Sequence, residues 1–109
     1  MGDVYSLEGN LEKSEEAFRR AISLRPDYAD AYHNLANTFQ RMGKPEPAIV
    51  NYEKAVSLNP GLWQSYQSLG MIYFHQGRLD MAGEYFKKAL KINPDEVRLK
   101  LLLKELERN

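Results

Sequence analysis

Three prolines, Pro26, Pro60 and Pro94, recur at a step of 34 residues, and each closes a similar phrase: Leu24-Arg25-Pro26-Asp27, Leu58-Asn59-Pro60-Gly61 and Ile92-Asn93-Pro94-Asp95. The same step links Gly9, Gly43 and Gly77, then Tyr5, Phe39 and Tyr73, then Gly2, Ala36 and Gly70. It links Ser14, Ala48 and Ala82, then Phe18, Tyr52 and Phe86, then Ala21, Ala55 and Ala89. A pattern held in register three times over is an internal repeat. It fixes the kind of fold open to a chain of 109 residues, because each unit must bury its apolar face against its neighbour.

Each unit reads as two helices. In the second, Ala31, Tyr32, Leu35, Ala36 and Phe39 fall at helical spacing and give one apolar face. Gly43 then supplies the left-handed conformation with which helices commonly stop. Ala48, Ile49, Tyr52, Ala55, Val56 and Leu58 form a second apolar face, which Pro60 ends because proline disfavours helix before it. Asp27 and Asp95 are expected to cap the helices that follow them. Small residues at Ala36, Gly70, Ala48 and Ala82 let paired helices approach closely, while the aromatics fill the remaining space.

The period, the Tyr/Leu/Gly/Tyr pattern of the first helix, the Ala/Phe/Ala pattern of the second and the closing proline resemble the tetratricopeptide repeat. The third unit carries the pattern most fully, in Trp63, Leu69, Gly70, Tyr73, Ala82, Phe86, Ala89 and Pro94. The resemblance covers roughly residues 1–96 and implies an all-α solenoid. The expected form is about three antiparallel helix pairs in a right-handed superhelix with a C-terminal capping helix. The expected divisions are a partial first repeat over 1–26, repeats over 27–60 and 61–94, and the capping helix over 95–109.

By register, Met1 and Gly2 take the Leu-Gly place of a first helix, so unit one should hold one short helix and one whole one. The chain reads as cut from a longer array, with Met1 open to being an added start. Its apolar end, Tyr5 and Leu7 included, is expected to favour a homo-oligomer. Residues 97–108 fit another first helix, but Lys100, Lys104 and Glu107 replace the aromatic, Gly and Tyr. With Leu99, Leu102, Leu103 and Leu106 turned inward, this reads as a cap that closes the array. Lys44-Pro45-Glu46-Pro47 should stiffen the second corner without breaking it. Gly83, inside a second helix, should cost about 0.5–1 kcal/mol relative to Ala.

Composition removes several function classes. Fifteen basic residues balance fifteen acidic ones, so the basic footprint that general nucleic-acid binding requires is missing. No apolar stretch is long enough to span a bilayer and no signal peptide is visible, which leaves the cytoplasm as the expected compartment. Zero cysteine rules out disulfides and thiolate chemistry. His33 and His75 lie on first helices outside any metal-binding motif, and no phosphate-cradling glycine loop is present, so no cofactor is expected. Glu15-Glu16 and Arg19-Arg20 are helix-surface ion pairs at i, i+4 spacing. Lys87, Lys88 and Lys91 form a small basic patch near a helix C-terminus. Tyr32, Tyr66, Tyr73 and Phe39 occupy repeat positions and read as core. The chain is not expected to be an enzyme.

The resemblance also implies a concave groove lined by the first helices. Its expected lining is Asp30, His33, Asn34, Asn37 and Arg41 from unit two and Gln64, Gln67, Ser68, Met71, Phe74 and His75 from unit three, with Arg98, Leu101 and Glu105 from the cap. Side-chain amides both donate and accept, so they can pair with a peptide backbone of any sequence. The segment from Pro26 to Asn37 resembles the superhelix of O-linked N-acetylglucosamine transferases, where a ladder of such asparagines grips a bound chain; Ser68 interrupts the ladder here. The alternative is that Asn34 and Asn37 are ordinary solvated residues. The carboxylate clamp of chaperone-tail binders is a poorer fit, because only Asn37 and Arg98 match among the positions of His33, Asn37, Ser68, Arg98 and Leu102. The expected function is a non-catalytic scaffold for a protein or peptide partner. A self-assembling structural unit and the substrate-targeting arm of a larger enzyme are the alternatives.

Overall fold

The computed structural model describes the backbone of residues 2–108 and the side chains of residues 9–108. Six helices follow one another: α1 (Gly2–Leu24), α2 (Ala29–Arg41), α3 (Pro45–Leu58), α4 (Trp63–His75), α5 (Leu79–Ile92) and α6 (Val97–Glu107). There is no strand among the described residues. The chain divides into two compact units, Met1–Leu58 and Asn59–Asn109, each built on one tightly packed helix pair.

In the first unit that pair is α2 with α3. Ala31, Leu35, Ala36 and Phe39 come from α2 and Ala48, Ile49, Tyr52 and Ala55 from α3, all buried. Tyr52, entirely buried, is the largest of them, and a side chain of this size withdrawn from water stabilises by roughly 1.5–3 kcal/mol. The turn between the helices is a Schellman motif: Gly43 has φ +77°, its N–H donates to the Gln40 carbonyl at 3.0 Å, and the Lys44 N–H donates to the Phe39 carbonyl at 2.8 Å. Two helix-end carbonyls are thereby satisfied. Pro45 opens α3 and Pro47 stands two residues on, both within the first turn, where a missing N–H costs no internal bond.

The second unit repeats the design with α4 and α5. Gly77 has φ +77°, the Gly77 N–H donates to Phe74 at 3.0 Å and the Arg78 N–H donates to Tyr73 at 2.9 Å. Leu69, Gly70, Ile72 and Tyr73 pack against Ala82, Phe86 and Ala89, with Phe86 entirely buried. Gly70 carries the close approach: a Cβ placed there would stand 2.5 Å from Phe86 Cε1 and 3.2 Å from the Ala82 carbonyl oxygen. α6 packs on α5 through the fully buried Leu99, while Leu102, Leu103 and Leu106 are half-buried and Lys100, Lys104 and Glu107 are exposed.

Two local expectations fail. α1 runs unbroken from Gly2 to Leu24, through Gly9, where a turn between two helices was expected. A glycine stops a helix only if the chain beyond the turn gains packing. Here the helix continues through Gly9 at the modest cost of one interior glycine. The exposure expected of Tyr5 and Leu7 lies outside the described side chains. Asp27 and Asp95 are not the caps either. The helices start later, α2 after Tyr28 with no side-chain cap and α6 after Glu96, whose carboxylate accepts from the Arg98 N–H at 3.4 Å. In each case the proline phrase is spent on the connecting turn before the helix begins.

The two glycines of the second unit make opposite predictions. Gly70→Ala forces its methyl into the Phe86 ring and should destabilise by about 1–3 kcal/mol. At Gly83 a methyl would meet only Leu106 Cδ1 at 3.8 Å and Leu103 Cδ2 at 4.0 Å, ordinary contacts. Gly83→Ala should therefore stabilise by about 0.5–1 kcal/mol, both changes being read from urea midpoints.

Candidate functional site

α2 carries five of the expected groove residues. From Asp30, through His33 or its neighbour Asn34, to Asn37 and Arg41 the steps are three or four, which places them along one side of the helix. Asp30, Asn34 and Arg41 are exposed, and His33 and Asn37 are half-buried. Tyr52 of α3 brings the last two together. Its ring centroid lies 5.4 Å from that of His33 at 60°, and its hydroxyl reaches Asn37 Oδ1 and, at 2.7 Å, Gln40 Oε1. Its one phenolic proton is directed at these two side-chain carbonyls. Asn37 consequently turns its carbonyl toward Tyr52 and its NH2 away from it. Neighbouring Thr38, buried, satisfies its own hydroxyl on the Asn34 carbonyl at 3.0 Å.

Burial lowers the His33 pKa below its ordinary value, and the carboxylate of Asp30 only partly offsets this. His33 is therefore the neutral imidazole at neutral pH. It can donate one hydrogen bond and accept another, but it brings no positive charge to the surface.

In the second unit α4 carries Gln64, Gln67, Ser68, Met71, Phe74 and His75 at helical steps. Gln64 and His75 are exposed and the other four half-buried. Phe74 and His75 meet edge to face, centroids 5.8 Å apart. Arg98, Leu101 and Glu105 are exposed on α6. Every expected groove residue thus keeps some access to solvent. The contacts join His33 to Asn37 through Tyr52 in one unit and Phe74 to His75 in the other.

Two features escaped the sequence reading. The first is the polar end of Tyr52, counted there only as an aromatic on an apolar face. Its register mates are Phe18 and Phe86, and a tyrosine where the repeat otherwise uses phenylalanine signals a hydroxyl in need of a partner. The second is a stack of tyrosines in the second unit. Tyr85 lies between Tyr66 (6.3 Å) and Tyr73 (5.6 Å, planes within 6°). Lys88 Nζ sits 5.2 Å from the Tyr85 ring centre and Arg78 Cζ 4.9 Å from that of Tyr73. Lys88, read from sequence as part of a basic patch, spends its charge on these rings. Of the residues expected in the core, Phe39 and Tyr73 are buried but Tyr32 and Tyr66 only half-buried. The Glu15–Arg19 pair forms at 2.8 Å.

No group of three or more His, Cys, Asp or Glu that could hold a metal ion occurs among the described residues. No described helix is long and apolar enough to cross a membrane.

A TPR-repeat family model matches residues 2–43, and a tetratricopeptide-repeat model matches residues 29–62 and again 63–96. No curated protein matches the sequence. The crystal structure of MamA is similar at 37% identity and a TM-score of 0.77 over 89% of this chain, which spans 57% of the MamA chain. The first TPR of Spaghetti (RPAP3), bound to the HSP90 peptide SRMEEVD, has 20% identity and a TM-score of 0.83, covering 98% of this chain and 85% of that one. The type III secretion translocator chaperone SycD of Yersinia enterocolitica has 16% identity and a TM-score of 0.84, covering 94% and 75%. At such identities the last two establish the fold alone.

The His33 environment sets a pH dependence. A folded pKa below the unfolded 6.5 means the unfolded chain binds more protons, so this contribution to stability is present above 6.5 and is lost as pH falls through the folded value. Between about pH 8 and about pH 5 the melting temperature of the parent should fall more than that of His33→Gln. Parallel curves for the two proteins would contradict the assignment.

Proposed function

The chain belongs to the tetratricopeptide repeat family, and from that premise we propose that it is a non-catalytic interaction module whose first helices receive an extended segment or helix of a protein partner. Repeats of this family generally mediate protein–protein interaction. The observation that carries the proposal to particular residues is the Tyr52 hydroxyl held against Asn37 Oδ1, which leaves the Asn37 NH2 free to donate to a backbone carbonyl. Exposed Asn34 stands one turn earlier on the same helix. Gln64 and Gln67 supply further amides on α4, and half-buried Met71 and Phe74 offer a deformable apolar anchor.

The same residues argue for the chemistry of the partner. A carboxylate clamp would require cationic or amide groups where His33, Ser68 and Leu102 stand, and His33 is neutral. Recognition through amides and an apolar anchor favours a peptide backbone over a charged terminus. It should weaken only mildly with salt. The Spaghetti domain bound to an HSP90 peptide offers a precedent for a peptide partner on this fold.

The test is capture followed by titration. A partner isolated on the immobilised parent protein is identified by mass spectrometry and then titrated against the parent and an Asn34→Ala, Asn37→Ala, Phe74→Ala variant of matched stability. Loss of at least about tenfold in affinity is expected, the usual effect of removing residues central to an interface. Unchanged affinity would place recognition elsewhere on the molecule.

A further inference from the structure

The C-terminal end of α2 gathers hydrogen-bond donors. Asn37, Gln40 and Arg41 stand at i, i+3 and i+4, so they are neighbours on one face of the helix. The Tyr52 hydroxyl meets both amides on their carbonyl side, at Asn37 Oδ1 and, at 2.7 Å, at Gln40 Oε1. A carboxamide whose oxygen is held in this way presents its two N–H donors on the other side. Among the described residues neither NH2 has a hydrogen-bond partner and Arg41 enters no ion pair. Gln40 and Arg41 are exposed and Asn37 is half-buried, so all three reach solvent. A guanidinium has donors and no acceptor. The patch therefore offers donors only, with one positive charge among them.

The 34-residue register shows that the fold does not require such a patch. One period on, the same three positions are Met71, Phe74 and His75, and Tyr52 becomes Phe86, which has no hydroxyl. The α4–α5 pair packs as closely with these residues, Phe86 being entirely buried and Phe74 meeting His75 edge to face. A cation in a last turn suits the helix dipole, which accounts for Arg41 alone. It leaves unexplained the two amides and the hydroxyl that turns them. The acid on this side of α2, Asp30, lies about three turns from Arg41, too far to neutralise it.

A ligand for this patch has to bring acceptors. A backbone carbonyl answers one N–H. A carboxylate brings two oxygens and a negative charge, enough to take the guanidinium and an amide together. We propose that the partner segment received by the first helices carries an aspartate or glutamate whose side-chain carboxylate binds Asn37, Gln40 and Arg41. This rests on the interaction-module reading and adds to it the chemistry of one partner residue. Tyr52 is a positioning residue here, acting through the two amides.

The probe is a library of random peptides displayed through their C-termini, so that no free carboxyl end is offered. Selection on the parent protein should enrich peptides with an aspartate or glutamate at a fixed place in a shared motif. A selected peptide, synthesised acetylated and amidated, should lose at least about tenfold in affinity when that acid is replaced by its amide, the scale of a hydrogen bond to a charged group. On Arg41→Gln, an exposed change that leaves the core untouched, the same replacement should cost little. Tyr52→Phe keeps a ring where the chain elsewhere uses Phe18 and Phe86, and releases both amides. It should weaken the acidic peptide more than its amide analogue. A motif without an acid overturns the proposal while the interaction-module reading stands. So does an acid whose replacement costs as much on Arg41→Gln as on the parent. A selection that enriches no peptide overturns both.

Discussion

Everything else in this molecule depends on how closely a second helix can lie on a first. In the second unit the distance is set by Gly70, whose missing side chain leaves room for the Phe86 ring. In the first unit Ala36 and Tyr52 hold the corresponding places, both entirely buried. The aromatic fills the space between the helices, and the small alanines around it, Ala48 and Ala55 in one pair and Ala82 and Ala89 in the other, are entirely buried. The hairpin then needs only a short turn, and Gly43 and Gly77 supply it with their positive φ angles. The repeat is this contact, made again every 34 residues.

Fixing the pair also fixes what its outer side offers. Tyr52 is entirely buried, its ring in the packing and its hydroxyl reaching the half-buried Asn37, which it holds with its carbonyl inward. The same ring lies near His33 in the half-buried environment that keeps the imidazole neutral. A surface of oriented amides and a neutral histidine thus arises from a core residue. In the second unit the tyrosine stack, closed by Lys88 and Arg78, ties α4 to α5 and leaves Phe74 and Met71 on the accessible side.

The period made most of this legible from sequence. It located α2 to α5, the turn glycines and the facing small and aromatic residues, because each recurs where the same physical demand recurs. It misread α1, since register marks where a helix can stop, and a glycine by itself permits a stop without enforcing one. It placed the caps too early, since Asp27 and Asp95 resemble N-caps while their backbone is still turning. The Tyr52–Asn37–Gln40 contacts, signalled only by a tyrosine in a phenylalanine position, and the Tyr66–Tyr85–Tyr73 stack escaped it for another reason. They join residues whose importance lies in mutual position, and Gln40 and Tyr85 hold no repeat position at all.

The claim beneath this account is that the α2–α3 and α4–α5 pairs carry the stability while α1 and α6 depend on them. Native-state hydrogen exchange of the backbone amides measures this directly, because it reports opening free energy element by element. The account predicts the slowest exchange at the central amides of α2 to α5, around Leu35, Tyr52, Leu69 and Phe86, with the first turns of α1 and the last turn of α6 exchanging fastest. Protection in α1 or α6 equal to or above that of the two pairs would contradict it.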